Sequence, residues 1–146
     1  MFTNSLEKIN MTTTNCVFCK IINNEIQAHV VAQNHLAIAF LDAFPVSNGH
    51  TLVIPKKHYQ DFSHTPKEEM HAVTDLAQEV VKLLDRSDLN VHGYNYLSNQ
   101  ASIAGQEVFH FHLHIIPKYA TKEGFGFKTN KVNILDLKEV MKLIKP

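Results

Sequence analysis

Two hydrophobic periods run along the chain. Residues 28–32 form a short apolar stretch, 35–41 a nearly continuous one, 50–55 another, and 90–98 and 110–116 alternate apolar with polar side chains. Short runs and period-two alternation predict β-strands. The run His35-Leu36-Ala37-Ile38-Ala39-Phe40-Leu41 is apolar at almost every position and predicts a central strand. Gln33-Asn34 reads as a turn, and residues 42–49, with Pro45, Asn48 and Gly49, as a loop. Pro55 closes the strand over 50–55, and Pro117 is expected to end the strand over 110–116, because proline lacks an N–H for the ladder. Met70, Val73, Leu76, Ala77, Val80, Val81 and Leu84 recur instead at helical spacing. Thr65 as cap, Pro66 in the first turn and the acidic Glu68 mark that helix's start; its end falls within 85–87. A turn and short helical segment is expected over 16–22, ending near Asn23-Asn24, and a final helix over 135–144. Strands outnumber helices and the first strands are joined by short links. The fold expected is α+β: an antiparallel sheet of about five strands, one long helix on one face, and a C-terminal helix.

The alternating stretch His110-Phe111-His112-Leu113-His114-Ile115-Ile116 carries the most chemistry. On a strand the three histidines share one face, and Phe111, Leu113 and Ile115 share the other. Each imidazole must place two ring nitrogens in hydrogen bonds or on a metal. A solvated histidine face is the plain alternative. Ala104-Gly105-Gln106-Glu107, just upstream, puts a glycine and an amide where backbone can approach a ligand closely. The long helix is expected on the Phe111 face, leaving the histidine face as the other one.

Composition narrows the class. The chain has 146 residues, enough for one domain with a single sizeable core; residues 1–15 read as a polar extension and 16–146 as the domain. Lys plus Arg and Asp plus Glu each number 14, so the formal charge is zero and gives no electrostatic footprint for nucleic acid or an anionic membrane. No apolar run approaches a membrane span, and the N-terminus lacks a signal-peptide pattern. Two cysteines make no disulfide framework, and a cytoplasmic address is expected. Neither a Gly-x-x-x-x-Gly-Lys loop nor a Gly-x-Gly-x-x-Gly turn is present.

Cys16-Val17-Phe18-Cys19 has two functional readings and one bland one. Redox Cys-x-x-Cys motifs follow a strand, and none precedes Cys16. Half of a zinc site needs two further ligands, which the histidines can supply. Two small buried thiols are the bland alternative. Asp42 ends a central strand, where a carboxylate can accept two hydrogen bonds from a ribose or simply cap a turn. Gly124-Phe125-Gly126-Phe127 reads as a lid, a dimer contact or a plain turn.

Taken together these blocks resemble the histidine-triad (HIT) nucleotide-binding family. His110 to Ile116 matches its His-x-His-x-His signature followed by two apolar residues. Cys16-Val17-Phe18-Cys19-Lys20-Ile21-Ile22, Ala39-Phe40-Leu41-Asp42, the Gly49 to His58 block, Asn99 and Gly105-Gln106 match in order. The likeness covers about residues 16–127 and is closest to the bacterial type of the Hint branch. The resemblance implies hydrolysis or transfer at the α-phosphorus of a purine nucleotide, with His112 as nucleophile and His114 on the phosphate or leaving group. It further implies that Asn99, Gly105, Gln106 and Glu107 lie at the phosphate and Asp42 at the ribose. Phe18 and Phe40 would line the base pocket, and His50 would support the triad. Cys16, Cys19, His58 and His110 would hold a structural zinc ion, and the protein would be a homodimer. His114 stands where the uridylyltransferase branch carries glutamine and so favours the hydrolase branches. Ala101 stands where glycine is frequent, Glu107 where eukaryotic Hint proteins have serine, and Ala43 where isoleucine is usual. The expected function is release of AMP from a purine nucleoside phosphoramidate or an adenylylated molecule through a phosphohistidine. The alternatives are a zinc-bearing nucleotide-binding or interaction module with incidental activity, and a dinucleoside polyphosphate hydrolase.

Overall fold

A computed structural model describes residues 15–146, so the expected N-terminal extension lies, but for Asn15, outside the described residues. The elements in chain order are α1 (Val17–Ile22), β1 (Val30–Gln33), β2 (Ala37–Leu41), β3 (Thr51–Pro55), α2 (Lys67–Asp85), β4 (Gly93–Leu97), a 3₁₀ turn (Ser102–Ala104), β5 (Leu113–Lys118) and α3 (Leu137–Ile144). The five strands form one antiparallel sheet in the order β1-β2-β3-β5-β4. This is the α+β architecture expected, with several elements shorter than the sequence pattern.

Residues 37–41 of β2 and 52–55 of β3 are apolar throughout because both sheet faces are covered. Ala37, Ala39, Val53, Phe111 and Ile115 pack under α2 against Ala72, Val73, Leu76, Ala77 and Val80. The two alanines carry little bulk, which lets the helix sit close over β2. On the other face Ile38, Phe40, Leu52 and Ile54 pack against Cys16, Phe18 and Cys19 of the α1 segment. Each strand thus sends alternate side chains to two cores. The histidines share the α1 face, as expected, because Phe111 and Ile115 are claimed by α2.

Three local expectations are corrected. Only His114 of the three histidines lies in a strand, since β5 begins at Leu113. Ahead of it the backbone partners come from elsewhere: the Phe111 N–H donates to the Tyr59 carbonyl at 2.6 Å, and the Ser98 hydroxyl donates to the His112 carbonyl at 2.8 Å. Pro117 does not end the strand, which runs on to Lys118 paired with β4. The Pro117 carbonyl accepts from the Ser47 hydroxyl, so its missing N–H faces the loop before β3 rather than β4. Nor does Thr65 cap α2: the N-cap is Pro66, with no side-chain bond, and the Thr65 hydroxyl donates to the Asp61 carbonyl instead.

The connector between β3 and α2 is built on Asp61. Its buried carboxylate accepts from the His64 backbone N–H, the His64 ring and the Ser63 hydroxyl. Tyr59 donates its hydroxyl to Glu69, in the first turn of α2, at 2.8 Å. These bonds anchor the segment that carries His58 and Tyr59 beside the histidines. Ahead of β3, Gly49 adopts φ +86°, and a side chain there would meet Leu84, Leu89 and Pro117 within 3.1–3.3 Å. Glycine therefore lets the loop turn tightly enough to deliver His50.

Candidate functional site

Two histidine clusters share the α1 face, joined at His110 and His112. His110 is fully buried. Its Nε2 lies 2.8 Å from the Pro55 carbonyl, which can only accept, so Nε2 carries the proton and Nδ1 the lone pair. That lone pair points at two sulfurs, Cys16 Sγ at 3.5 Å and Cys19 Sγ at 3.6 Å; Cys19 Sγ is also 3.4 Å from His58 Nδ1. The four donor atoms of Cys16, Cys19, His58 and His110 lie within 4.8 Å of one another. Around a tetrahedral zinc, bonds of about 2.3 Å to sulfur and about 2.05 Å to nitrogen put the two donors roughly 3.5 Å apart. The sulfur–nitrogen spacings therefore fit that ion. Burial and the neighbouring Cys16 push the Cys19 thiol up to about 12, a condition that a coordinated dication reverses.

His112 is buried and its ring meets Phe18 edge to face, centroids 5.1 Å apart. Its Nδ1 lies 2.7 Å from the backbone carbonyl of His110. The carbonyl again assigns the proton: Nδ1–H donates, and Nε2 keeps a free lone pair. Burial lowers the pKa of this imidazole below its ordinary value, which favours the neutral, nucleophilic form.

His114 meets His50, with Nδ1 and Nε2 2.9 Å apart. The Val46 N–H donates to His50 Nδ1 at 3.2 Å. His50 therefore carries its proton on Nε2 and donates it to His114 Nδ1, which leaves His114 Nε2 as a donor. Asp42 joins the cluster, its Oδ2 3.5 Å from His50 Nε2, while Oδ1 accepts the Phe44 N–H. Asp42, His50 and His114 also group as a possible cation cluster. Two nitrogens on one zinc would stand about 3.3 Å apart. The observed 2.9 Å is the spacing of a hydrogen bond. Burial, aided by His112 and His50, pushes His114 down to about 4.

The remaining expected residues fall around these clusters. Phe40 is buried against Phe18, ring centroids 5.5 Å apart. Phe18 is itself wedged edge to face against His110 and His112, so it restricts the orientation of both rings. Asn99 donates to the Gly105 carbonyl at 3.3 Å, and Gly105 turns the chain at φ +96°. Gln106 is buried with its amide committed to backbone: Oε1 accepts the Ala101 N–H, and Nε2 donates to the Gln60 and Val108 carbonyls. Its side chain holds the loop in shape. Glu107 is exposed beside it. Sequence reasoning missed the groups that assign the ring protons and hold the histidine segment: the Pro55 carbonyl, the Val46 amide, the Tyr59 carbonyl and Ser98. Three of these are backbone atoms, which no side-chain motif displays.

Comparison with known proteins identifies the family. The family model described as HIT domain matches residues 23–121. An uncharacterized HIT-like protein of Mycoplasma genitalium is 53% identical over 133 residues, covering 91% of this chain and 94% of that protein. An adenosine 5'-monophosphoramidase of Schizosaccharomyces pombe is 39% identical, covering 76% of this chain and 80% of its own length. Among solved structures, a HIT family protein from Bacillus anthracis is 37% identical with a TM-score of 0.81, covering 89% of this chain and 92% of that one. A Zn-bound histidine triad family protein from Mycobacterium smegmatis is 31% identical with a TM-score of 0.73, covering 91% and 92%. Among the described residues no helix is long and apolar enough to cross a membrane.

Proposed function

The chain belongs to the HIT family, and from that premise we propose that it hydrolyses a purine nucleoside phosphoramidate or an adenylylated molecule at the α-phosphorus, releasing AMP. The observation that carries the reading is the His112 ring: Nδ1–H is bound to the His110 carbonyl at 2.7 Å, which leaves the Nε2 lone pair free to attack. Attack forms an Nε2–phosphorus bond, and the P–N bond to the leaving group breaks with its electron pair going to the amine, which takes up a proton. Water then attacks the same phosphorus and loses a proton as the P–Nε2 bond breaks, restoring neutral His112 and releasing AMP. The His114 Nε2–H donates to a phosphoryl oxygen, where negative charge grows in the transition state. His50 holds that donor in its tautomer. Asp42 accepts from the ribose, and Phe18 and Phe40 flank the base. Asn99, Gly105, Gln106 and Glu107 shape the loop beside the phosphate, with Gln106 acting through the backbone it pins. Glu107 repels the phosphate unless its exposed carboxylate turns outward.

We assign Cys16, Cys19, His58 and His110 as a closed zinc site. A zinc ion there supplies a rigid four-way crosslink between α1, the β3–α2 connector and the segment before β5, and takes no part in the chemical step. A homodimer in the cytoplasm completes the proposal. The likeness to the fission-yeast adenosine 5'-monophosphoramidase supports the phosphoramidase reading, and the likeness to the Zn-bound mycobacterial protein supports zinc.

The test is mass spectrometry of wild type and His112→Ala after mixing with adenosine 5′-phosphoramidate, quenched separately in acid and in alkali. Phosphohistidine survives base and breaks in acid. The expected result is AMP release with an adenylyl adduct in the alkaline quench of wild type alone. A wild-type protein that binds AMP yet releases none and carries no adduct would turn the assignment to a binding module.

A further inference from the structure

The peptide unit that joins His110 to Phe111 is hydrogen-bonded on one side to the His112 ring and on the other to Tyr59, the residue that follows His58. Its carbonyl accepts the His112 Nδ1–H at 2.7 Å. Its N–H donates to the Tyr59 carbonyl at 2.6 Å, and Tyr59 follows His58 directly in the chain. The His110 side chain is fixed as well, with Nε2 on the Pro55 carbonyl and Nδ1 facing Cys16 and Cys19. A trans peptide points its C=O and N–H in opposite directions. One plane therefore spans from the metal-site connector on one side to the nucleophile's ring on the other. We propose that the Cys16–Cys19–His58–His110 site sets the tautomer of His112 through this peptide, with His110 and His58 as positioning residues for the nucleophile. The inference rests on the assignment of His112 as nucleophile and of the four residues as metal ligands.

The physical argument is one of competing tautomers. A neutral imidazole places its proton on either nitrogen, and only the form with Nε2 bare can attack phosphorus. The carbonyl of His110 selects that form so long as it stays aimed at Nδ1. Without a cation, four donor groups converge on one point with few protons among them, and the Cys16 and Cys19 sulfurs share the one His110 lone pair. Relaxation of His58 or His110 then tilts the peptide plane, because each is one bond or one residue from it. Partners that orient a metal-ligating histidine are worth about 10- to 100-fold in metal affinity or activity when lost, and a loss of the same order is expected for the ring that the His110 carbonyl orients.

The experiment uses the full chain labelled with ¹⁵N-histidine, compared as zinc-loaded wild type, chelator-stripped wild type, His58→Ala and His58→Cys. Metal analysis and cobalt absorption spectra report occupancy without reference to catalysis. In zinc-loaded wild type and in His58→Cys, which keeps a fourth ligand, His112 should show a protonated Nδ1 and a bare Nε2. In stripped wild type and His58→Ala the two nitrogens should average toward a mixture. kcat should then fall about 10- to 100-fold while KM moves less than about threefold. Restoration of zinc to the stripped wild type should restore both the ring signature and kcat. Loss of metal with an unchanged His112 ring and kcat would overturn the coupling. So would wholesale unfolding on metal removal, which makes the site a folding staple, or a wild type that takes up no zinc. Zinc-loaded wild type that shows the expected ring signature but releases no AMP would instead overturn the hydrolase assignment and leave the coupling standing.

Discussion

His50 Nε2 lies 2.9 Å from His114 Nδ1, and the Val46 amide on the far side of His50 decides which of the two donates. Because that amide occupies His50 Nδ1, the proton sits on Nε2, His114 Nδ1 accepts it, and His114 Nε2 is left as a donor. The function of His50 is then to donate one hydrogen bond, and glutamine can donate one from a similar place. His50→Ala should lower kcat about 10- to 100-fold with a smaller change in KM, whereas His50→Gln should stay within about threefold of wild type. Steady-state kinetics on adenosine 5′-phosphoramidate decides the matter. Equal losses in both variants would mean that the imidazole itself, and not its donor, is required.

The same pair makes stability depend on pH. Burial lowers His50, and burial with the neighbouring His112 and His50 pushes His114 down to about 4; Asp42 opposes both shifts. An unfolded histidine titrates near about 6.5. Between those limits the unfolded chain binds more protons than the folded one, so stability rises with pH across the window and falls as the pH drops from about 6.5 toward 4. Thermal unfolding midpoints should decline over that interval. His114→Gln, which removes one of the titrating groups, should show a shallower decline. Matching slopes for the two proteins would place the pH dependence elsewhere.

Much of this site is legible from residue type and spacing, and the rest lies in backbone atoms. The alternation of His110, His112 and His114 with Phe111, Leu113 and Ile115 predicts the division of faces, because packing under α2 claims Phe111 and Ile115 however the backbone is paired. It overstates the strand, since pairing depends on what lies alongside, and Tyr59 and Ser98 intervene there. Pro117 misleads in the same way: its missing N–H matters only on the side where a partner strand exists, and β4 pairs on the other. Gln106 can be placed near the loop, but an amide that can donate and accept gives no sign of whether it turns to a ligand or to its own backbone. The four clustered residues Cys16, Cys19, His58 and His110 come from three segments far apart in the chain. Their convergence follows from the antiparallel order of the sheet, and in the sequence only the family resemblance indicates it.

The proposed contact of Asp42 with the ribose can be tested through specificity. One carboxylate oxygen accepts the Phe44 N–H at 2.9 Å, and the other faces His50 at 3.5 Å. A ribose hydroxyl would compete for that second oxygen. Asp42→Asn retains an acceptor for Phe44 and so keeps the turn, while weakening acceptance from the sugar. KM for the ribose substrate should rise about 10-fold, the worth of roughly one charge-assisted hydrogen bond. The 2′,3′-dideoxy analogue should be handled equally by both proteins. If the substitution weakens both substrates alike, Asp42 acts through His50 and not on the sugar.

The loop that carries Asn99 and Gly105 stores strain at Ala101. That residue sits at φ 72°, ψ 154°, a region that a Cβ makes unfavourable and that glycine enters freely. The loop holds it there with three bonds: its N–H donates to Gln106 Oε1 at 2.9 Å, and its carbonyl accepts from the backbone N–H groups of Ala104 and Gln106. Such a conformation costs about 1–3 kcal/mol in a residue other than glycine. Glycine loses about 0.5–1 kcal/mol more backbone entropy on folding than alanine. The balance favours Ala101→Gly by about 1 kcal/mol, which should raise the melting temperature by roughly 3 °C in a chain of this size. Gln106→Ala should do the reverse, because it removes the partner of the strained amide and the contacts with the Gln60 carbonyl of the β3–α2 connector and the Val108 carbonyl. Gln106→Ala should cost less when made in the Ala101→Gly background than in the wild type, since a relaxed Ala101→Gly loop needs less restraint. Additive effects in that cycle, measured by denaturant unfolding, would mean that the Gln106 amide holds the loop for reasons unconnected with the strain at Ala101.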